Sequence, residues 1–94
     1  MTRESDIEKY FVRCIKNIGG EVRKLQWVGR KDAPDRCVFY RGVHFVELKR
    51  PGKDLRPSQR REVERMRKHG ASAWTISSHE GVDAFINALG CLRA

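Results

Sequence analysis

Several features are scarce in this chain. No apolar run exceeds a few residues, which excludes a transmembrane helix and leaves no expectation of a membrane partner. The three cysteines, Cys14, Cys37 and Cys91, are odd in number, lie far apart and form no C-x-x-C pair. Neither a zinc knuckle nor a disulfide framework is expected from them; they read as reduced thiols acting as small apolar groups. His44, His69 and His79 show no ligand spacing with the cysteines. The chain has no internal repeat and no low-complexity segment. Its first ten residues, MTRESDIEKY, are polar and carry acids, unlike a signal or transit peptide. The expected location is therefore the cytoplasm, that of a bacterial host cell if the chain is viral.

With 94 residues, the expectation is a single domain over 1–94. A core of this size is marginal, so burial in an oligomer would help it. At 39% hydrophobic residues it is too apolar for a disordered basic tail. Lys and Arg number 20 against 12 Asp and Glu, a formal charge of +8. That excess points to an anionic partner, with nucleic acid the default and a merely soluble basic surface the alternative. The cations crowd the middle of the chain: Arg30 and Lys31, then Lys49, Arg50, Lys53 and Arg56, then Arg60, Arg61, Arg65, Arg67 and Lys68.

Periodicity orders the elements. Ile7, Phe11, Cys14, Ile15 and Ile18 recur at steps of three and four, which predicts a helix over Asp6–Ile18 stopped by Gly19 and Gly20, with Ser5 or Thr2 as its cap. Residues 21–28 read as a strand with imperfect alternation. Residues 37–40 and 43–49 read as a hairpin around Arg41-Gly42, ended by Pro51-Gly52. A second helix starts near Pro57, has one face defined by Gln59, Val63 and Met66, and stops at Gly70. Residues 73–77 form a further strand, and Val82, Phe85, Ile86 and Leu89 mark a last helix. The fold class is α/β, a small mixed sheet flanked by helices in the order α-β-β-β-α-β-α.

The residues with chemistry are Asp35, Glu47 and Lys49. Strand alternation puts Phe45, Glu47 and Lys49 on one face, with Glu47 and Lys49 about 6.5–7 Å apart. A two-residue turn would pair Tyr40 with Val43 and set Asp35 opposite Leu48, diagonal to both. A one-residue shift at Pro34, or a bulge, would bring it closer. Two carboxylates of this kind suit a hard divalent cation, and an adjacent ammonium suits a phosphoryl reaction. Each motif alone is weak: E-x-K is common on exposed strands, and Pro-Asp is common in turns.

The run GRKDAPDRCVFYRGVHFVELKRPGKDLRPSQ resembles the virus-type replication-repair nuclease (VRR-NUC) domain, a branch of the PD-(D/E)xK superfamily. Pro34-Asp35 matches its PD, Glu47-Leu48-Lys49 its E-x-K and Gln59 its downstream glutamine, across about residues 6–88. Ala33 stands where the branch often has Gly or Val. The resemblance implies a restriction endonuclease-like core and Mg²⁺ or Mn²⁺ as cofactor. It implies Asp35, Glu47 and the Leu48 carbonyl as metal ligands and Lys49 as the group acting on the attacking water. Gln59 would orient a ligand or the lysine. A first-helix acid is also implied; Glu8 is preferred, with Glu4 the alternative. Lys24, Arg30, Lys31, Arg50, Lys53, Arg56, Arg60 and Arg61 are candidate DNA contacts; Trp27 and Trp74 read as core or interface residues. Standalone members that this chain resembles imply a homodimer cutting four-way DNA junctions, with no small-molecule substrate. Flap or splayed-arm cleavage on the same fold, and a non-catalytic basic module, are the alternatives.

Overall fold

The computed structural model describes residues 2–90; Cys91 lies outside them. Three helices and four strands follow one another as α1 (Glu4–Asn17), β1 (Glu21–Lys24), β2 (Arg36–Phe39), β3 (Val43–Leu48), α2 (Pro57–Lys68), β4 (Ser72–Ile76) and α3 (His79–Gly90). The order is the expected one. The sheet runs β1-β2-β3-β4, antiparallel across its first two pairings and parallel between β3 and β4. The crossover through α2 therefore returns to the same sheet beside β3, as the spacing predicts.

The main core fills one face of this sheet. Ile7, Phe11 and Ile15 of α1 and Val82, Phe85 and Leu89 of α3 pack on Val38, Val46, Leu48 and Ile76. Phe85 lies at the centre, with its ring 5.9 Å from Phe11, 5.1 Å from Trp74 and 6.2 Å from His44. His44 is buried without becoming an orphan. Trp74 Nε1 donates to Ser72 Oγ, Ser72 Oγ lies 2.8 Å from His44 Nδ1, and His44 Nε2 lies 2.9 Å from the Tyr40 carbonyl. A neutral imidazole protonated at Nε2 satisfies every partner, so this histidine is a core cross-link.

Three local expectations are corrected. The residue capping α1 is Arg3, whose N–H donates to Asp6 Oδ2, and neither Ser5 nor Thr2 serves. Strand β1 stops at Lys24, four residues before the expected end. Leu25 N–H still bonds the Asp35 carbonyl, but Trp27 then turns away to bond α2. The hairpin pairs Phe39 with Val43, not Tyr40 with Val43, so its loop has three residues. Arg41 (φ 47°) and Gly42 (φ 115°) take the left-handed backbone that this turn requires.

That one-residue shift matters. Arg36 pairs with Val46, so continuing the register by one step sets Asp35 opposite Glu47. Asp35 then shares a sheet face with Glu47, and Arg36 shares the other with Val46. The first face carries the charged site. The second carries the core and α1.

Candidate active site

The Asp35 carboxylate is placed by a backbone bond: the Leu48 N–H donates to Asp35 Oδ2 at 3.0 Å. Pro34 is fully buried, which pins the start of β2. The Asp35 carbonyl accepts from Leu25 N–H at 3.0 Å and from Arg36 Nη1 at 2.9 Å. Lys49 N–H donates to the Ile76 carbonyl at 2.9 Å, so the parallel pairing continues past β3 and holds Lys49 in line with Glu47.

Glu47 is only 3% exposed and Lys49 only 9%. Burial pushes the Glu47 carboxyl up to about 8, helped by a hydrogen bond and charge repulsion from Asp35, while the Lys49 and Arg56 cations work in the opposite direction. Added positive charge beside Glu47 would favour its ionised form. The site's donors are hard carboxylate oxygens, which suit Mg²⁺ or Mn²⁺ in chemistry. Among the described residues, no cluster of three or more His, Cys, Asp or Glu side chains could hold a metal ion. A cation on Asp35 and Glu47 would therefore fill its remaining positions with backbone, water or substrate oxygens.

The other expected residues divide into groups. Gln59 is buried on the first turn of α2, and its Oε1 accepts the Arg56 N–H at 2.9 Å. It thereby fixes Arg56, whose charge acts on Glu47. Arg50 and Lys53 flank Pro51 and Gly52 in a tight turn, with Lys53 N–H bonded to the Arg50 carbonyl and Gly52 at φ 80°. Both are exposed, as are Arg30, Lys31, Arg56, Arg60 and Arg61.

Glu8 does not join the acid pair. It sits on α1, across the sheet, and its Oε2 lies 2.7 Å from Arg36 Nη2. Since Arg36 also donates to the Asp35 carbonyl, the first-helix acid connects to the PD strand through this guanidinium. Glu8, Arg36 and Lys24 line a separate cleft of about 650 Å³ between α1 and β1. Glu4 is exposed in the first turn of α1.

Two residues escaped the sequence reading. Arg36 and Glu62 are not singled out there, yet Arg36 bonds Glu8 and the Asp35 carbonyl, and Glu62 is buried and takes three donors. The signal was available: Glu62 follows Gln59 by three residues, on the helix face turned inward, and the Trp27 indole needs an acceptor.

No protein-family profile matches the chain. It is 35% identical over 82 residues to "Putative nuclease p44" of Acyrthosiphon pisum secondary endosymbiont phage 1, covering 85% of this chain and 88% of that protein. Among solved structures it is similar to a VRR-NUC domain, with a TM-score of 0.83 and 40% identity over 93% of this chain and 97% of the other. The fold and the site together define a nuclease, a hydrolase acting on nucleic acid. The chain belongs to the VRR-NUC family.

Proposed function

We propose that this protein is an endodeoxyribonuclease dependent on Mg²⁺ or Mn²⁺, that it recognises branched DNA, and that it cuts four-way junctions as a homodimer. The observation that carries the catalytic part is the buried Glu47 carboxyl against the half-buried Asp35, with Lys49 beside it on the same strand face. Asp35 and Glu47, with the Leu48 carbonyl, would hold the cation. When bound, it would lower the pKa of water and neutralise charge on the scissile phosphate. Lys49 orients the attacking water and stabilises charge developing on the phosphate. Gln59 holds the Arg56 backbone at the start of α2, next to the centre. Glu8 bears on it through Arg36.

Shape recognition follows from size. The exposed cations on α2 and the two loops contact phosphates, which carry no sequence information. Two centres on a two-fold dimer would cut opposed strands. The test uses labelled four-way junction, flap and linear duplex, each with Mg²⁺, Mn²⁺ or EDTA. Paired symmetric nicks in the junction, absent in EDTA, are expected. Flap cleavage alone would refute junction resolution, and cleavage in EDTA would refute the metal.

The Glu47 carboxyl sets a pH dependence. Its pKa rises on folding, so the metal-free native state binds this proton more tightly than the unfolded chain. The associated stability is full below about 4.5 and is lost as pH rises through about 8. The Glu47 carboxyl would have to give up this proton to hold a cation, so metal affinity would rise with pH up to about 8 and binding would release a proton. Calorimetry in two buffers of different ionisation enthalpy at pH 7 measures that proton. In saturating Mg²⁺, the decline of the melting temperature across this range is expected to disappear.

A further inference from the structure

Helix α2 contains two acids. Glu64 is exposed, whereas Glu62 is buried among arginines. Its Oε2 accepts from Trp27 Nε1 at 2.8 Å, and its Oε1 accepts from Arg30 Nη2 at 2.9 Å and Arg65 Nη1 at 2.6 Å. Trp27 and Arg30 belong to the loop between β1 and β2. Because both bind one carboxylate, the two residues between them turn outward, with Gly29 at φ 75° and Val28 fully exposed. The Arg30 and Arg65 side chains remain about half exposed, at 51% and 48%. A guanidinium carries five N–H donors, so each keeps donors for a second partner.

Between loop and helix lies an open cavity of about 280 Å³, lined by Arg30, Lys31, Ser58, Arg61 and Arg65. Its acids are Glu62, already engaged by three donors, and Asp32, which faces Arg56 at 3.5 Å. We propose that this cavity is a subsite for a non-scissile backbone phosphate of bound DNA and that Glu62 is its positioning residue. The inference rests on the DNA-cleaving role proposed above. The placement suits it: the Trp27 ring lies 6.3 Å from Phe45, which shares a strand face with Glu47 two residues on. The subsite therefore flanks the carboxylate pair without overlapping it. A loose arginine loses rotamer freedom when it grips a phosphate; arginines already held by Glu62 lose less.

The proposal reverses the sign that charge alone predicts. Glu62→Gln removes one negative charge, and through net charge alone would tighten DNA binding. The expected result is weakening by several-fold, because Arg30 and Arg65 are released. Arg30→Ala weakens binding to a similar extent and lowers the salt slope by about one. Adding Glu62→Gln to the double variant Arg30→Ala, Arg65→Ala costs little more. Binding is measured in EDTA on labelled junction DNA against salt, with thermal melts as a check on folding. Tighter or unchanged binding by folded Glu62→Gln overturns the proposal. If that variant melts early, Arg30→Ala and Arg65→Ala decide, since both alter half-exposed side chains; unchanged affinity and slope overturn it. Wild-type cleavage in Mg²⁺ is recorded alongside. A wild type that binds but never cuts contradicts the reading of the Asp35–Glu47 centre and leaves the binding comparison to decide the subsite. A wild type that binds no DNA overturns both.

Discussion

Replacing Glu47 by Ala is expected to abolish cleavage while DNA binding is kept or strengthened. Loss of one preorganised electrostatic group at a reacting centre costs ~10²–10³ in rate. Glu47 is in addition one of the two acids proposed to hold the cation, so the loss should exceed that range. Binding is kept or strengthened because no cation that meets the phosphates is removed and any carboxylate charge at the centre is reduced. The variant should fold, since Glu47 lies on the sheet face away from the main core. Lys49→Ala should lower cleavage by about 10²–10³-fold on the same grounds. Lys49→Arg should not restore it, because a planar fork does not replace a compact ammonium at a nearly buried position. Single-turnover cleavage, with binding followed separately in EDTA, checks both. Equal cleavage by wild type and Glu47→Ala would remove this strand from the chemistry.

Phe85→Ala is expected to have the largest effect on stability. Phe85 is fully buried and joins α3 to α1 through Phe11, to β4 through Trp74 and to β3 through His44. Truncating such a ring costs about 3–5 kcal/mol. Small domains have about 5–15 kcal/mol in total. The melting temperature should therefore fall by more than ~10 °C, read by circular dichroism. Phe85→Leu keeps most of the volume and should cost less. The His44 bonds to Ser72 and Tyr40 would then show whether their network survives, through its imidazole resonances.

The order of elements was legible because each has a clear period. The helical step of Ile7, Phe11 and Ile15 and the alternation across residues 43–49 leave little choice. The proline at the start of α2 and the glycine after it mark that helix as well. The hairpin register was not legible. Arg41-Gly42 suits a two-residue turn, yet positive φ at Arg41 comes with a three-residue loop, and one residue decides whether Asp35 faces Leu48 or Glu47. The acid pair itself could be read, since PD and E-x-K lie on adjacent strands of a hairpin. Glu8 could not be placed, because helix spacing gives a face but not the partner across it. Arg36 and Glu62 were hidden for a related reason. Their roles arise from contacts over 28 and 35 residues, between Glu8 and Arg36 and between Trp27 and Glu62. A local pattern gives at most the helix face of such a residue, as it does for Glu62, and not the partner it meets across that distance.

The central claim is that Asp35 and Glu47 together hold a divalent cation. The most direct measurement is anomalous diffraction from crystals grown with Mn²⁺ above pH 8, where the Glu47 proton is readily displaced. The account predicts one strong peak between the two carboxylates, next to the Leu48 carbonyl, which disappears in Asp35→Ala. No peak there, or a peak only in the cleft of Glu8, Lys24 and Arg36, would contradict it.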